Sequence, residues 1–211
     1  GMTYAGAGTL AVNATATLTA NGIDVSGGLT LGTTSAMTMT LGDNWSVSGL
    51  LITNTGSGAA TLTVNGNQIT ANGGWTHTGC IVAGTTLFVV AGTGTWTGPA
   101  TASRYVSNPI TINSAGTITL AVTGPQFSGN TITYMSGSIV ATGSLINLAA
   151  TVGNVTFSGA FPALNSIAVV GSMTLTCDSA LTLSDTLRIN ESVSLTLAGA
   201  VAYSCATLQL D

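Results

Sequence analysis

"MTLTCDSALTLSDTLRINESVSLTL", residues 173 to 197, decides how this chain folds. Apolar and small polar residues alternate through it, and short strands start at Met173, Ala180, Thr186 and Val193. Alternation of period two is the mark of a strand with one buried face. Three runs of four or five residues are completed before the pattern returns after 20 residues, which is what one coil of a parallel β-helix requires. A single coil cannot bury its apolar row, but stacked coils bury a continuous column.

The same alternation occurs elsewhere, in "TATLT" (15 to 19), "MTMTL" (37 to 41), "TLTV" (61 to 64) and "TITL" (117 to 120). Good helix formers are scarce, β-branched residues abound and there are 28 glycines, so helices are not expected. A phrase closed by glycine also recurs: "IDVSG" (23 to 27), "WSVSG" (45 to 49), "WTHTG" (75 to 79), "GTWTG" (94 to 98), "TYMSG" (133 to 137), "VTFSG" (155 to 159) and "LTLAG" (195 to 199). Its glycines lie 22, 30, 19, 39, 22 and 40 residues apart. If the longest intervals each hide a degenerate copy and 30 holds an insertion, the period is near 20.

The expected fold is therefore an all-β, single-stranded parallel β-helix with about 20 residues and three short strands per coil. Roughly 9–10 coils would make a rod about 45–50 Å long at ~4.8 Å per coil. Val169, Leu175, Leu181, Leu187 and Val193 recur every six residues, the spacing of a left-handed hexapeptide helix. Coil lengths of 19 to 22 elsewhere exceed 18, so the right-handed form is favoured. Gly1 before Met2 reads as a cloning remnant, which leaves residues 2–211 as one β-helix domain.

Register within the phrase assigns directions. The residue two before each closing glycine, Val25, Val47, His77, Trp96, Met135, Phe157 or Leu197, is expected to point inward. Its neighbours point outward and are mostly hydroxyls, among them Thr76, Thr78, Thr95 and Thr97. His77 is then a buried, neutral, hydrogen-bonded histidine beside Trp75, stacked near Val47 and Trp96. Corner loops are expected at 53–74, 99–109, 124–130 and 159–166, and loops are where a rigid scaffold carries binding residues. Arg104, Tyr105 and Phe127 are the candidates there.

Composition excludes several chemistries. Charged residues make up 4% of the chain, as five Asp, one Glu, two Arg and no Lys, for a net charge of −4. With no basic stripe, nucleic acid is not an expected partner. The longest apolar run is about four residues, so no membrane insertion through a helix is expected. Hydrophobic residues at 45% argue against disorder. Cys80, Cys177 and Cys205 form no metal or redox motif; they read as packing residues, with a Cys177–Cys205 bridge as the alternative. No cofactor or metal site is expected, and the calcium-binding nonapeptide GGxGxD is absent. The acids are scattered rather than paired for sugar chemistry. Arg188, between Asp185 and Glu191, reads as a local surface ion pair.

Across nearly all of its length the chain resembles the Ser/Thr/Gly-rich β-helix repeats of bacterial adhesins and of phage tail fibres or tailspikes. The resemblance implies a non-enzymatic structural or attachment module, extracellular, on a cell surface or on a virion, with cell-surface glycans as possible partners of its corner loops. A homo-oligomer or a longer parent chain is also implied, since no helix covers either end. The alternatives are a polysaccharide-active β-helix enzyme and an ice-binding protein. "THT" (76 to 78) and "TWT" (95 to 97) resemble the threonine pairs of insect-type ice-binding proteins.

Overall fold

The computed structural model describes residues 8–18, 27–33, 35–54, 60–99, 104–149 and 154–211. These residues form 24 strands and no helix, and every strand pair is parallel. Each strand meets its partner roughly 20 residues away in the chain, so the coils stack into a solenoid of about eight turns. That is fewer than the nine to ten expected, and at ~4.8 Å per coil it gives a rod of about 40 Å.

One turn runs through three faces. Face one holds β1 (Leu10–Val12), β3 (Leu29–Thr33), β6 (Leu50–Asn54), β9 (Gly74–His77), β12 (Gly94–Thr97) and the distal halves of β13 (Ile110–Leu120) and β15 (Thr131–Val140). In chain order β20 (Leu181–Thr182) and β23 (Tyr203–Ser204) continue this side. Face two holds β2 (Ala16–Leu18), β4 (Met37–Leu41), β7 (Thr61–Gly66), β10 (Ile81–Ala83), β14 (Thr123–Phe127), β16 (Leu145–Leu148), β18 (Ser166–Val169), β21 (Thr186–Ile189) and β24 (Thr207–Leu210). Face three holds β5 (Trp45–Val47), β8 (Ile69–Ala71), β11 (Phe88–Val90), the proximal halves of β13 and β15, then β17 (Val155–Ser158), β19 (Met173–Cys177) and β22 (Leu195–Ala198).

Alternation builds the core. In β4, for instance, Met37, Met39 and Leu41 are buried while Thr38 and Thr40 are exposed. On face two Leu62, Val82, Val106, Phe127, Leu148 and Val169 follow one another in register, each from a separate coil. Val106 belongs to no named strand; its bridges to Val82 and Phe127 join the four-stranded and five-stranded parts of this face. Burying one such side chain contributes about 1.5–3 kcal/mol, which offsets the ordering of its coil. Buried amides add a second tie between coils. Asn108 Nδ2 donates to Val64 O and Thr86 O, each at 3.2 Å, and Asn130 Nδ2 donates to Asn108 O at 3.0 Å.

The glycine-closed phrase does not mark one repeat position. His77 and Trp96 lie inward on face one, paired with Ile52 and Trp75, whereas Val47 and Phe157 lie inward on face three. Met135 is 64% exposed, contrary to the inward assignment, because β13 and β15 shift register between Ile112 and Thr117 at the corner joining two faces. Leu197 keeps inward register above Leu175 but is 42% exposed, since nothing in the described residues stacks on it. Val25 and its neighbours Asp24 and Ser26 lie outside the described residues.

The six-residue spacing has a different origin. Val169, Leu175, Leu181 and Leu187 fall on faces two, three, one and two in turn, so six residues is the step from face to face within these coils. Two of the expected corner loops are strands instead. Residues 53–74 contain β7 and β8, and residues 124–130 overlap β14. Gly124 and Pro125 in β14 imitated a turn, yet a Cβ on Gly124 would lie 2.5 Å from Leu145 O, so glycine there serves close strand approach. The register irregularity between Thr123 and Gln126 accommodates the proline.

Candidate functional surfaces

The threonine row lies on face one, but its alignment is not that of the phrase. Thr76 pairs with Thr97, not with Thr95; Thr95 pairs with Gly74 on one side and Thr119 on the other. Thr78 stands beside Thr53 and donates to its Oγ1 at 3.1 Å. Leu51 interrupts the Thr30, Thr76, Thr97 column. The regular two-column threonine lattice suggested by "THT" and "TWT" is therefore absent from this face. A longer outward hydroxyl column stands on face three, where Ser46, Thr70, Thr111, Thr133 and Ser158 follow in register with Val89 among them. It was not legible from the phrase, because its members come from runs that no glycine closes in the same way.

Beside the face-one threonines runs an open trough of about 620 Å³. Thr9, Gly28, Gly49 and Gly74 form its floor, and Thr30, Ser48, Leu51, Thr76 and Thr95 rise around it. No charged side chain lines it. It lies at the start of the face-one strands, where each coil enters from a corner.

The expected loop aromatics sit elsewhere. Phe127 is in β14, 1% exposed, with its ring 5.6 Å from that of Trp96 in an edge-on arrangement. Tyr105 is buried too, drawn inward with its neighbour Val106, which fills the face-two column. Neither presents a ring face to a ligand, so the binding role assigned to them is corrected. Arg104 is half-buried near His77 and Cys80, and its field acts on both. Residues 100–103 of that expected loop lie outside the described residues. Of the four expected loops, 159–166 keeps its turn character, with half-buried Phe161 packed 5.1 Å from Phe157 and 5.4 Å from Tyr134.

His77 is buried, as read from its register, and its Nε2 donates to Cys80 O at 2.6 Å. A carbonyl accepts only, so Nε2 carries the hydrogen of a neutral imidazole. Burial, with the Arg104 charge adding to it, lowers its pKa to about 4. Burial also pushes the Cys80 thiol up to about 12. A thiol that resists ionisation beside an imidazole that resists protonation is the reverse of an activated nucleophile pair. All three cysteines are free; Cys80 and Cys177 are buried and Cys205 is half-buried, so the Cys177–Cys205 bridge is not formed.

The carboxylates do not converge. Asp178 follows β19, Asp185 precedes β21 and Glu191 lies between β21 and β22, which puts the three at successive corners of one coil. Asp178 accepts from Ser158 Oγ and from Gly159 N, both at 2.7 Å, and these bonds hold its carboxyl below the usual range. Asp185 accepts from Ser166 and Thr186, each at 3.1 Å. Arg188 pairs with neither Asp185 nor Glu191 but with Asp211 in the next coil, at 2.5 Å, because parallel stacking brings residues one coil apart closer than residues across a corner. Among the described residues no group of three or more His, Cys, Asp or Glu could hold a metal ion.

Fold and surface together define the class: a parallel β-solenoid with a hydroxyl-rich, sparsely charged exterior. In comparisons with known proteins, no family model, no curated protein and no solved structure matches the chain.

Proposed function

We propose that this chain is a stiff structural and attachment segment of an extracellular fibre, of the kind displayed on a cell surface or a virion. The observation that carries the reading is the core itself, three faces continued without a break through about eight turns. A repeat that contacts only its neighbours transmits reach rather than chemistry. The exterior supports the same reading. Hydroxyl columns and few charges leave little for unintended electrostatic partners, and the acids stand apart rather than in a pair suited to sugar hydrolysis.

The last described coil adds a further support. Leu197, Leu208 and Leu210 occupy inward columns yet are 42%, 58% and 70% exposed, whereas Leu175, one coil below Leu197, is 1% exposed. The outer edges of β22, β23 and β24 are unpaired among the described residues. Open parallel edges over an apolar row are templates for another coil. The protein is expected to associate with rising concentration in light scattering, and Leu208→Asp with Leu210→Asp is expected to suppress that association. Wild-type protein that stays monomeric throughout the range would count against the fibre reading. Incubation with a polysaccharide panel is expected to release no reducing ends; release would put an enzyme in its place.

A further inference from the structure

The geometry points to a ligand for the face-one trough: an uncharged polysaccharide chain laid along the axis of the solenoid. This deepens the attachment reading and rests on it.

The floor of the trough carries the argument. Thr9, Gly28, Gly49, Gly74, Thr95 and Thr119 follow one another coil by coil in one outward column. Close packing requires glycine at some neighbouring sites: a Cβ on Gly73 would lie 2.1 Å from Ser48 O, and one on Gly94 would lie 2.1 Å from Gly73 O. Gly49 is under no such demand. Its φ is not in the left-handed region, and the nearest atom to an added Cβ is Gly74 O at 3.9 Å. Threonines already occupy the same column three times, so a β-branched side chain fits it. Glycine in a strand weakens it, and the fold gains nothing from Gly49. What Gly49 provides is an open floor.

The walls select the occupant. Hydroxyls of Thr30, Ser48, Thr76 and Thr95 recur from coil to coil, and the half-exposed Leu51 offers an apolar surface between them. A sugar presents hydroxyls around an apolar ring face, and both find partners here. An extended pyranose chain advances by nearly the coil spacing of ~4.8 Å per sugar, so successive sugars meet successive copies of one wall. An anionic chain finds no cation in the lining. A peptide strand finds no free backbone edge, since the face-one strands already pair with each other through the trough.

Calorimetric titration of the full chain with cellohexaose, laminarihexaose, chitohexaose and mannohexaose tests this, with oligogalacturonate as the anionic comparison. Binding of at least one neutral oligosaccharide and none of the anion is expected. Gly49→Val is expected to keep or raise the melting temperature and to weaken that binding at least tenfold. Thr76→Ala, which adds no atoms, is expected to weaken it at least threefold, and Thr111→Val on face three to leave it unchanged. Silence from all four neutral probes, a preference for the anion, or full binding by Gly49→Val would each overturn the assignment. Light scattering without ligand reads the fibre proposal separately, so failure of one is distinguishable from failure of the other.

Discussion

Trp96→Ala is expected to lower the free energy of unfolding by about 3–5 kcal/mol, the range for truncating a buried large aromatic. Trp96 is 2% exposed and its ring lies over that of Trp75 at 5.2 Å, with planes 10° apart. Trp75 in turn meets Phe88 at 4.9 Å, and Trp96 meets Phe127 edge-on. The four rings come from three consecutive coils and all three faces, so the alanine cavity would open where the faces meet. Domains of this size hold only about 5–15 kcal/mol in all, so the variant would lose a large share of its stability. Because coils depend on their nearest neighbours, amide exchange should quicken most in β9, β12 and β14. Thr97→Ala, one residue along and outward, is expected to change stability by less than about 0.5 kcal/mol. Urea unfolding of the two variants measures both. A loss under about 1 kcal/mol for Trp96→Ala would remove the aromatic stack from the account.

Acid is expected to weaken the fold through His77. The unfolded chain protonates this imidazole near 6.5 while the folded chain does so only at about 4. Between these values the unfolded state binds more protons, so stability falls as pH falls. The contribution is complete above pH 6.5, declines through the interval and is gone below about 4. At about 1.4 kcal/mol per pH unit the total is about 3 kcal/mol. Asp178 and Asp211, whose pKa values are lowered by Ser158 and Arg188 respectively, add their own loss at more acidic pH. Denaturant unfolding at pH 8, 6 and 4.5 should show the decline in the wild type and a nearly flat response in His77→Gln. NMR titration of the wild-type imidazole checks the same claim without a substitution. A ring that titrates near 6.5 in the folded protein would contradict it.

The direction of a side chain was more legible in the sequence than its place. Strands at 37–41 and 173–177 match β4 and β19 to the residue, and the inward positions of His77, Trp96 and Phe157 follow from alternation alone. Which face a strand occupies was hidden, because the same local pattern serves faces one and three. Stacking partners were hidden for the same reason: Thr76 meets Thr97 only because the coil from Leu50 to Trp75 is longer than its neighbours. Tyr105 and Phe127 were misread because glycine, proline and charge around them imitate a surface loop, while a column over 20 residues distant in sequence recruits Val106 and Phe127 to the core. The trough could not be read from the chain at all. Its floor depends on Gly28, Gly49 and Gly74 sharing a column, and that is a property of register.

Register is accordingly the central claim, and a pair of engineered cysteines tests it most directly. Thr76 and Thr97 are paired residues of neighbouring coils, about 4.8 Å apart between Cα atoms, within the range a disulfide spans. Thr78 and Thr97, aligned by the glycine-closed phrase, lie about 8 Å apart in the observed register, beyond the limit of about 7 Å. In a Cys205→Ser background, oxidation of Thr76→Cys with Thr97→Cys should yield an intramolecular disulfide, and Thr78→Cys with Thr97→Cys should yield none. Cross-linking of the second pair and not the first would contradict the register and, with it, the trough.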